Sequence, residues 1–157
     1  MISRRSFVGQ AAGLGLALAG GKSLRAAGTG SDADPTMTIY MSPTCGCCSK
    51  WVDHVKAAGF KTVVHQEQDM DTVKESLGVP RDLRSCHTAQ VDKYLIEGHV
   101  PAEDVRKLLA QKPKAAGLAA PGMPASSPGM AVAGEPHEPF DVLLFQRDGK
   151  SEVFAHR

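Results

Sequence analysis

The run Thr44-Cys45-Gly46-Cys47-Cys48 constrains this chain more than any other feature, because it separates two segments of different periodicity. Before it, Met37-Thr38-Ile39-Tyr40-Met41 is short, apolar and β-branched and closes on Ser42-Pro43, the pattern of a buried strand. After it, from Ser49, the apolar positions Trp51, Val52, Val55 and Ala58 recur at helical spacing, and Gly59 supplies a C-terminal stop before Phe60. Strand, turn and helix are therefore consecutive, and the turn places three thiols at or just before a helix N-terminus. Unpaired N–H groups and the helix dipole favour thiolate there. Cysteines flanking a glycine in such a turn are poised to be nucleophiles or ligands.

The rest of the chain extends this βα unit. Lys61-Thr62-Val63-Val64-His65 reads as a second strand, and Asp71 to Leu77 as a helix that stops at Gly78 before Pro80. Thr88-Ala89-Gln90-Val91 and Tyr94-Leu95-Ile96-Glu97 read as antiparallel strands joined at Asp92-Lys93. Pro101 to Gln111 reads as a helix with Val105, Leu108 and Leu109 inward. The order β-α-β-α-β-β-α predicts an α/β fold with a thioredoxin-like, or glutaredoxin-like, central sheet and helices on both faces.

Residues 115–138 are dense in Gly, Pro, Ala and Ser and read as a loop, longer than the ~12–15 residues usual inside a domain. Within it Pro121-Gly122-Met123 recurs as Pro128-Gly129-Met130. The two thioethers, Met123 and Met130, are either soft Cu(I) donors or gap-fillers that pin the loop to an apolar surface. Phe140 to Phe145 and Ser151 to Ala155 then form a hairpin around Arg147-Asp148-Gly149-Lys150, expected to extend the sheet or cover its edge.

Length and charge narrow the function. With 157 residues the chain suits a single domain, and 22% charged with 42% apolar residues fits neither a disordered chain nor a multi-span membrane protein. Its formal net charge of +1 is not that of a strongly basic nucleic-acid binder. The first 26 residues hold Arg4, Arg5, Lys22 and Arg25 and no acid, so the remainder carries 14 bases against 17 acids. An apolar run from Ala11 to Gly21 is far short of the roughly 20 residues of a spanning helix. With small residues at Ala26, Ala27 and Gly28, residues 1–27 read as a cleavable export signal of twin-arginine type, leaving no stable membrane span after cleavage. Residues 28–35 follow as a linker, 36–112 as the core, and 113–157 as a Gly/Pro/Met loop and β-hairpin of the same domain. No phosphate loop, basic aromatic patch or paired-carboxylate motif is evident.

In a core of this kind the turn before the third strand lies beside the cysteine helix, so Ser85-Cys86-His87-Thr88 should face Cys45, Cys47 and Cys48. Thioredoxin-like redox enzymes usually carry a cis-proline at that turn, where it shields the disulfide from metals. This chain has none there, which favours metal capture over disulfide exchange. Two other chemistries stay open. Cys45 and Cys48 have the C-x-x-C spacing of a thiol-disulfide oxidoreductase, with Cys45 as nucleophile and Cys48 as resolving thiol. Four cysteines could instead close a structural zinc site. A disulfide from Cys86 to one of the other three is a further alternative, and four cysteines allow three full connectivities. His87 is a candidate additional ligand; His99, beside Val100-Pro101, is expected only to stabilise the helix entrance. His54, His65, His137 and His156 have no distinguishing spacing.

The run Ser42-Pro43-Thr44-Cys45-Gly46-Cys47-Cys48, with Trp51, Gly59-Phe60, Gly78-Val79-Pro80, Ser85-Cys86-His87-Thr88, Glu97-Gly98-His99-Val100-Pro101-Ala102 and Pro121-Gly122-Met123-Pro124, resembles the CopG-like family. That family is catalogued as domain of unknown function 411 and occurs with bacterial copper-resistance genes. The resemblance runs from about Met37 to the C-terminus. It implies a periplasmic, thioredoxin-like protein that binds copper through cysteines, here Cys45, Cys47, Cys48 and Cys86. Members are also implied to move electrons to or from copper. The expected cargo is thus Cu(I), held at a site that bridging sulfur would allow to be polynuclear, with other envelope copper-handling or redox proteins as partners. Ala125-Ser126-Ser127, between the two Pro-Gly-Met units, departs from the Gly-rich sequence expected of relatives.

Overall fold

Alternation fixes the first strand: in β1 (Thr36–Met41) Met37, Ile39 and Met41 are buried while the intervening residues are partly exposed. The computed structural model describes residues 34–157. The expected export segment and all but the end of the linker lie outside the described residues. After β1 come α1 (Gly46–Ala57), β2 (Lys61–Gln66) and α2 (Met70–Leu77), then a short 3-10 turn at Arg81–Leu83. The chain continues through β3 (Thr88–Val91), β4 (Tyr94–Gly98), α3 (Ala102–Gln111), β5 (Gly117–Ala120), β6 (Asp141–Phe145) and β7 (Ser151–His156).

The strands form one seven-stranded sheet in the order β2-β1-β3-β4-β5-β6-β7. Strands β1 and β2 run parallel, as do β4 and β5; the other neighbours are antiparallel. Register puts Ile39 opposite Ala89, Ala89 opposite Ile96, and Ile96 opposite Leu118, so these residues share a face. They form one core with Trp51, Val52 and Val55 of α1 and Val105 and Leu108 of α3. On the other face Leu95, Ala119 and Phe145 pack with Leu77, Val79 and Leu83 from α2 and the turn after it. Helical segments therefore cover both faces, as the sequence pattern predicts.

Local signals explain the ends of these elements. Asp69 caps α2 by accepting from the Thr72 N–H at 3.1 Å, and Gly78 ends it in the left-handed conformation (φ 74°). Past the hairpin, Phe140 and Arg157 exchange two backbone hydrogen bonds of 2.8 Å. The Arg157 guanidinium pairs with buried Asp104 and with Glu103 in the first turn of α3. The C-terminus is thereby tied to a helix whose N-terminal dipole those acids complement.

One expectation is corrected. The segment 115–138 is not wholly loop, because Gly117-Leu118-Ala119-Ala120 forms β5, and all four residues are buried. A tetrapeptide of Gly, Ala and one Leu has little β propensity of its own; pairing with both neighbours and burial hold it in place. Gly117 lies opposite Leu95, and a Cβ there would stand 1.8 Å from the Leu95 carbonyl oxygen. Through β5 the hairpin β6–β7 extends the sheet. Among the described residues no helix is long and apolar enough to cross a membrane.

Candidate metal centre

Strand β1 delivers the chain to Ser42-Pro43-Thr44, where the Cys45 N–H donates to the Ser42 carbonyl at 3.1 Å and closes the turn. Cys45 is the N-cap of α1, and Cys47 and Cys48 occupy its first turn. The Cys48 side chain is buried in the core beside Trp51, whereas Cys45 and Cys47 are partly exposed. Cys45 and Cys48 are joined as a disulfide; Cys47 and Cys86 are free thiols. The Cys47 sulfur lies 3.5 Å from that of Cys45.

Cys86 comes from the turn before β3, and the four sulfurs all lie within 4.8 Å of one another. Burial pushes the Cys86 thiol up to about 12, with Cys47 adding to the effect, so Cys86 is protonated at neutral pH. The structure has none of the full connectivities open to four cysteines: one disulfide forms within C-x-x-C, and Cys86, expected as a possible disulfide partner, is a free thiol.

Two histidines complete the site. His87 Nδ1 is 3.3 Å from the Cys86 sulfur, and the ring is fully buried, tilted against Trp51 with centroids 4.3 Å apart. Its Nε2 has no hydrogen-bond partner among the described residues. His99 Nε2 is 3.0 Å from the same sulfur, and its Nδ1 lies 2.7 Å from the Pro128 carbonyl oxygen. A carbonyl only accepts, so Nδ1 carries the proton. Burial lowers the pKa of His99, and more strongly that of His87, so both are neutral near pH 7. The His99 Nε2 lone pair therefore faces Cys86.

This corrects the expectation for His99, which does not serve the entrance of α3. His54 does: its Nε2 accepts from the Ala102 N–H at 3.0 Å. Nothing in a solitary histidine before Val-Pro indicates this exchange of roles; only the packing of α1 against the β4–α3 connection creates it. Trp51 makes the same connection, donating from Nε1 to the Val100 carbonyl at 2.9 Å.

The two methionines separate. Met123 is exposed, while Met130 is half-buried in a cleft with Val132, Glu135 and His137. The second Pro-Gly-Met unit nonetheless reaches the cysteine helix, because a Cβ on Gly129 would lie 2.9 Å from both the Cys47 carbonyl oxygen and the Trp51 nitrogen. Glycine is required at this contact, and its φ of +88° requires it again.

A family model described as "Protein of unknown function, DUF411" matches residues 83–130, which span the Cys86 turn, β3 to β5 and both Pro-Gly-Met units. Two solved structures are also similar, "Copper resistance protein copG- Form 1" and "Form 2", at 41% and 40% identity. Each has a TM-score of 0.73 and aligns over 79% of this chain and 98% of its own. The chain belongs to the CopG family. No curated protein matches the chain. Soft sulfur donors flanked by neutral imidazole nitrogen make a donor set suited to copper, in keeping with the CopG relatives' names.

Proposed function

We propose that this chain is an exported, periplasmic copper-binding protein of metal resistance that holds Cu(I) through the thiolates of Cys45, Cys47, Cys48 and Cys86. The observation that carries this reading is the approach of all four sulfurs to within 4.8 Å on two separate elements. Thiolate is the soft donor that selects Cu(I), and a sulfur that bridges two ions would make the site polynuclear. His99 Nε2, His87 Nδ1 and the thioethers of Met123 and Met130 are the further donors we assign to its margin. The arginine pair and short apolar core of residues 1–27 support export by the twin-arginine route.

Full thiolate ligation requires the Cys45–Cys48 disulfide to be reduced. The reverse reaction gives a redox reading of the same site: two thiolates reduce two Cu(II) ions, forming one disulfide and two Cu(I). Cys47 and Cys86, free beside the disulfide, support this order of events, since two sulfur ligands remain to hold the product.

The test is anaerobic Cu(I) titration of the reduced protein and of Cys47→Ser. We expect the variant to lose stoichiometry or affinity, whereas an unchanged isotherm would refute the four-sulfur site. A thiol-disulfide oxidoreductase would instead turn over insulin without metal through Cys45 and Cys48. A structural zinc module would keep Zn(II) in the presence of trace Cu(I).

A further inference from the structure

The turn that carries Cys86 is held from below by a buried ion pair. Lys74 of α2 and Glu97 of β4 are 3% and 0% exposed and lie 2.6 Å apart. One carboxylate oxygen of Glu97 accepts from the Ser85 N–H at 2.6 Å as well as from Lys74; the other accepts from the Thr88 hydroxyl at 2.6 Å. Lys74 also donates to the Thr88 oxygen at 2.8 Å. Ser85 and Thr88 flank Cys86 and His87 on either side, so a single carboxylate grips both ends of the four-residue turn. Thr88 faces Glu97 across the β3–β4 pair, on the side of the sheet opposite Ile96 and the α1 core. The grip therefore comes from the α2 side, while the cysteine helix packs on the other.

Burying an ion pair is poor value as stabilisation, because desolvation consumes most of the Coulombic gain. Its better-attested use is to fix one arrangement among several. A turn without the usual proline has no ring to set its backbone, and Gly98 beside it adds no side chain; a Cβ there would stand 2.5 Å from the Ser85 oxygen.

We propose that Glu97, held by Lys74, is the positioning residue that fixes the Cys86 turn against the helix cysteines, so that the fourth sulfur is presented before any metal arrives. Its consequence for copper affinity rests on the proposed function; its geometric content does not.

The experiment measures position without copper. In a Cys45→Ser/Cys48→Ser background, Cys47 and Cys86 are equilibrated with glutathione: both thiols are oxidised to one disulfide while glutathione disulfide is reduced to two thiols. The equilibrium constant gives the effective concentration of Cys86 at Cys47. Adding Lys74→Met and Glu97→Gln together, a neutral pair of similar volume, should lower it by about tenfold or more, with native circular dichroism retained. An unchanged constant in the folded variant overturns the proposal. Should that variant not fold, Thr88→Val frees one end of the turn alone, and a fall of about threefold is expected, an unchanged value being fatal here too. In the four-cysteine protein the Lys74→Met/Glu97→Gln pair should also weaken Cu(I) retention against a chelator. If the effective concentration falls but the parent protein binds no Cu(I), the positioning role stands and the copper reading fails.

Discussion

Protonation decides what the side chains of the site can do. His99 donates its Nδ1–H to the Pro128 carbonyl in a hydrogen bond and turns the Nε2 lone pair toward Cys86, an arrangement available only to the neutral ring. His54 is under the same constraint on a different element. Its Nε2 accepts the Ala102 N–H, and burial lowers its pKa while nearby Glu103 partly offsets the shift. A folded-state pKa below the unfolded one means that the unfolded chain takes up a proton more readily. The stabilisation is therefore complete above about pH 6.5 and is lost as pH falls through the lowered value. Urea unfolding at pH 7 and pH 5 should show a loss of stability that His54→Gln, an acceptor that does not titrate, reduces; equal losses in the two proteins would count against this role. Trp51→Phe should cost about 1–3 kcal/mol, because the buried Val100 carbonyl loses its donor. A melt indistinguishable from the parent would show that water replaces the indole N–H.

At the scale of elements, the segments with strong periodicity or clear stops were legible in the sequence. β1, α1, α2 with its Gly78 stop, the β3–β4 pair, α3 and the final hairpin stand within a residue or two of where pattern and turn chemistry put them, except that α1 begins at Gly46 and takes Cys47 and Cys48 into its first turn. The approach of the Cys86 turn to the cysteine helix was also legible, because it follows from element order. Strand β5 was not: Gly117-Leu118-Ala119-Ala120 has the composition of the loop around it, and tertiary pairing overrides its weak local preference. His99 and the Lys74–Glu97 pair were hidden for a related reason, since their partners are 13 and 23 residues away along the chain. Gly117 is the point at which β5 is most vulnerable. Gly117→Ala drives a methyl group into the Leu95 backbone, and we expect a loss above about 2 kcal/mol by urea unfolding. Unchanged stability would mean that β5 can slip away from β4 at no cost.

For the whole molecule, the sheet joins two parts of the chain in one site. The core supplies three cysteines at the start of α1 and the fourth before β3, and the C-terminal extension reaches back across α1 at Gly129 and to His99 at Pro128. The likeness to the two CopG structures covers 79% of this chain, far more than a lone C-x-x-C. The central claim is that the convergent sulfurs are the copper ligands. X-ray absorption at the copper edge, on reduced protein loaded anaerobically with Cu(I), tests it most directly. The account predicts a Cu(I) edge and a nearest shell dominated by sulfur; a nearest shell of nitrogen and oxygen alone would contradict it.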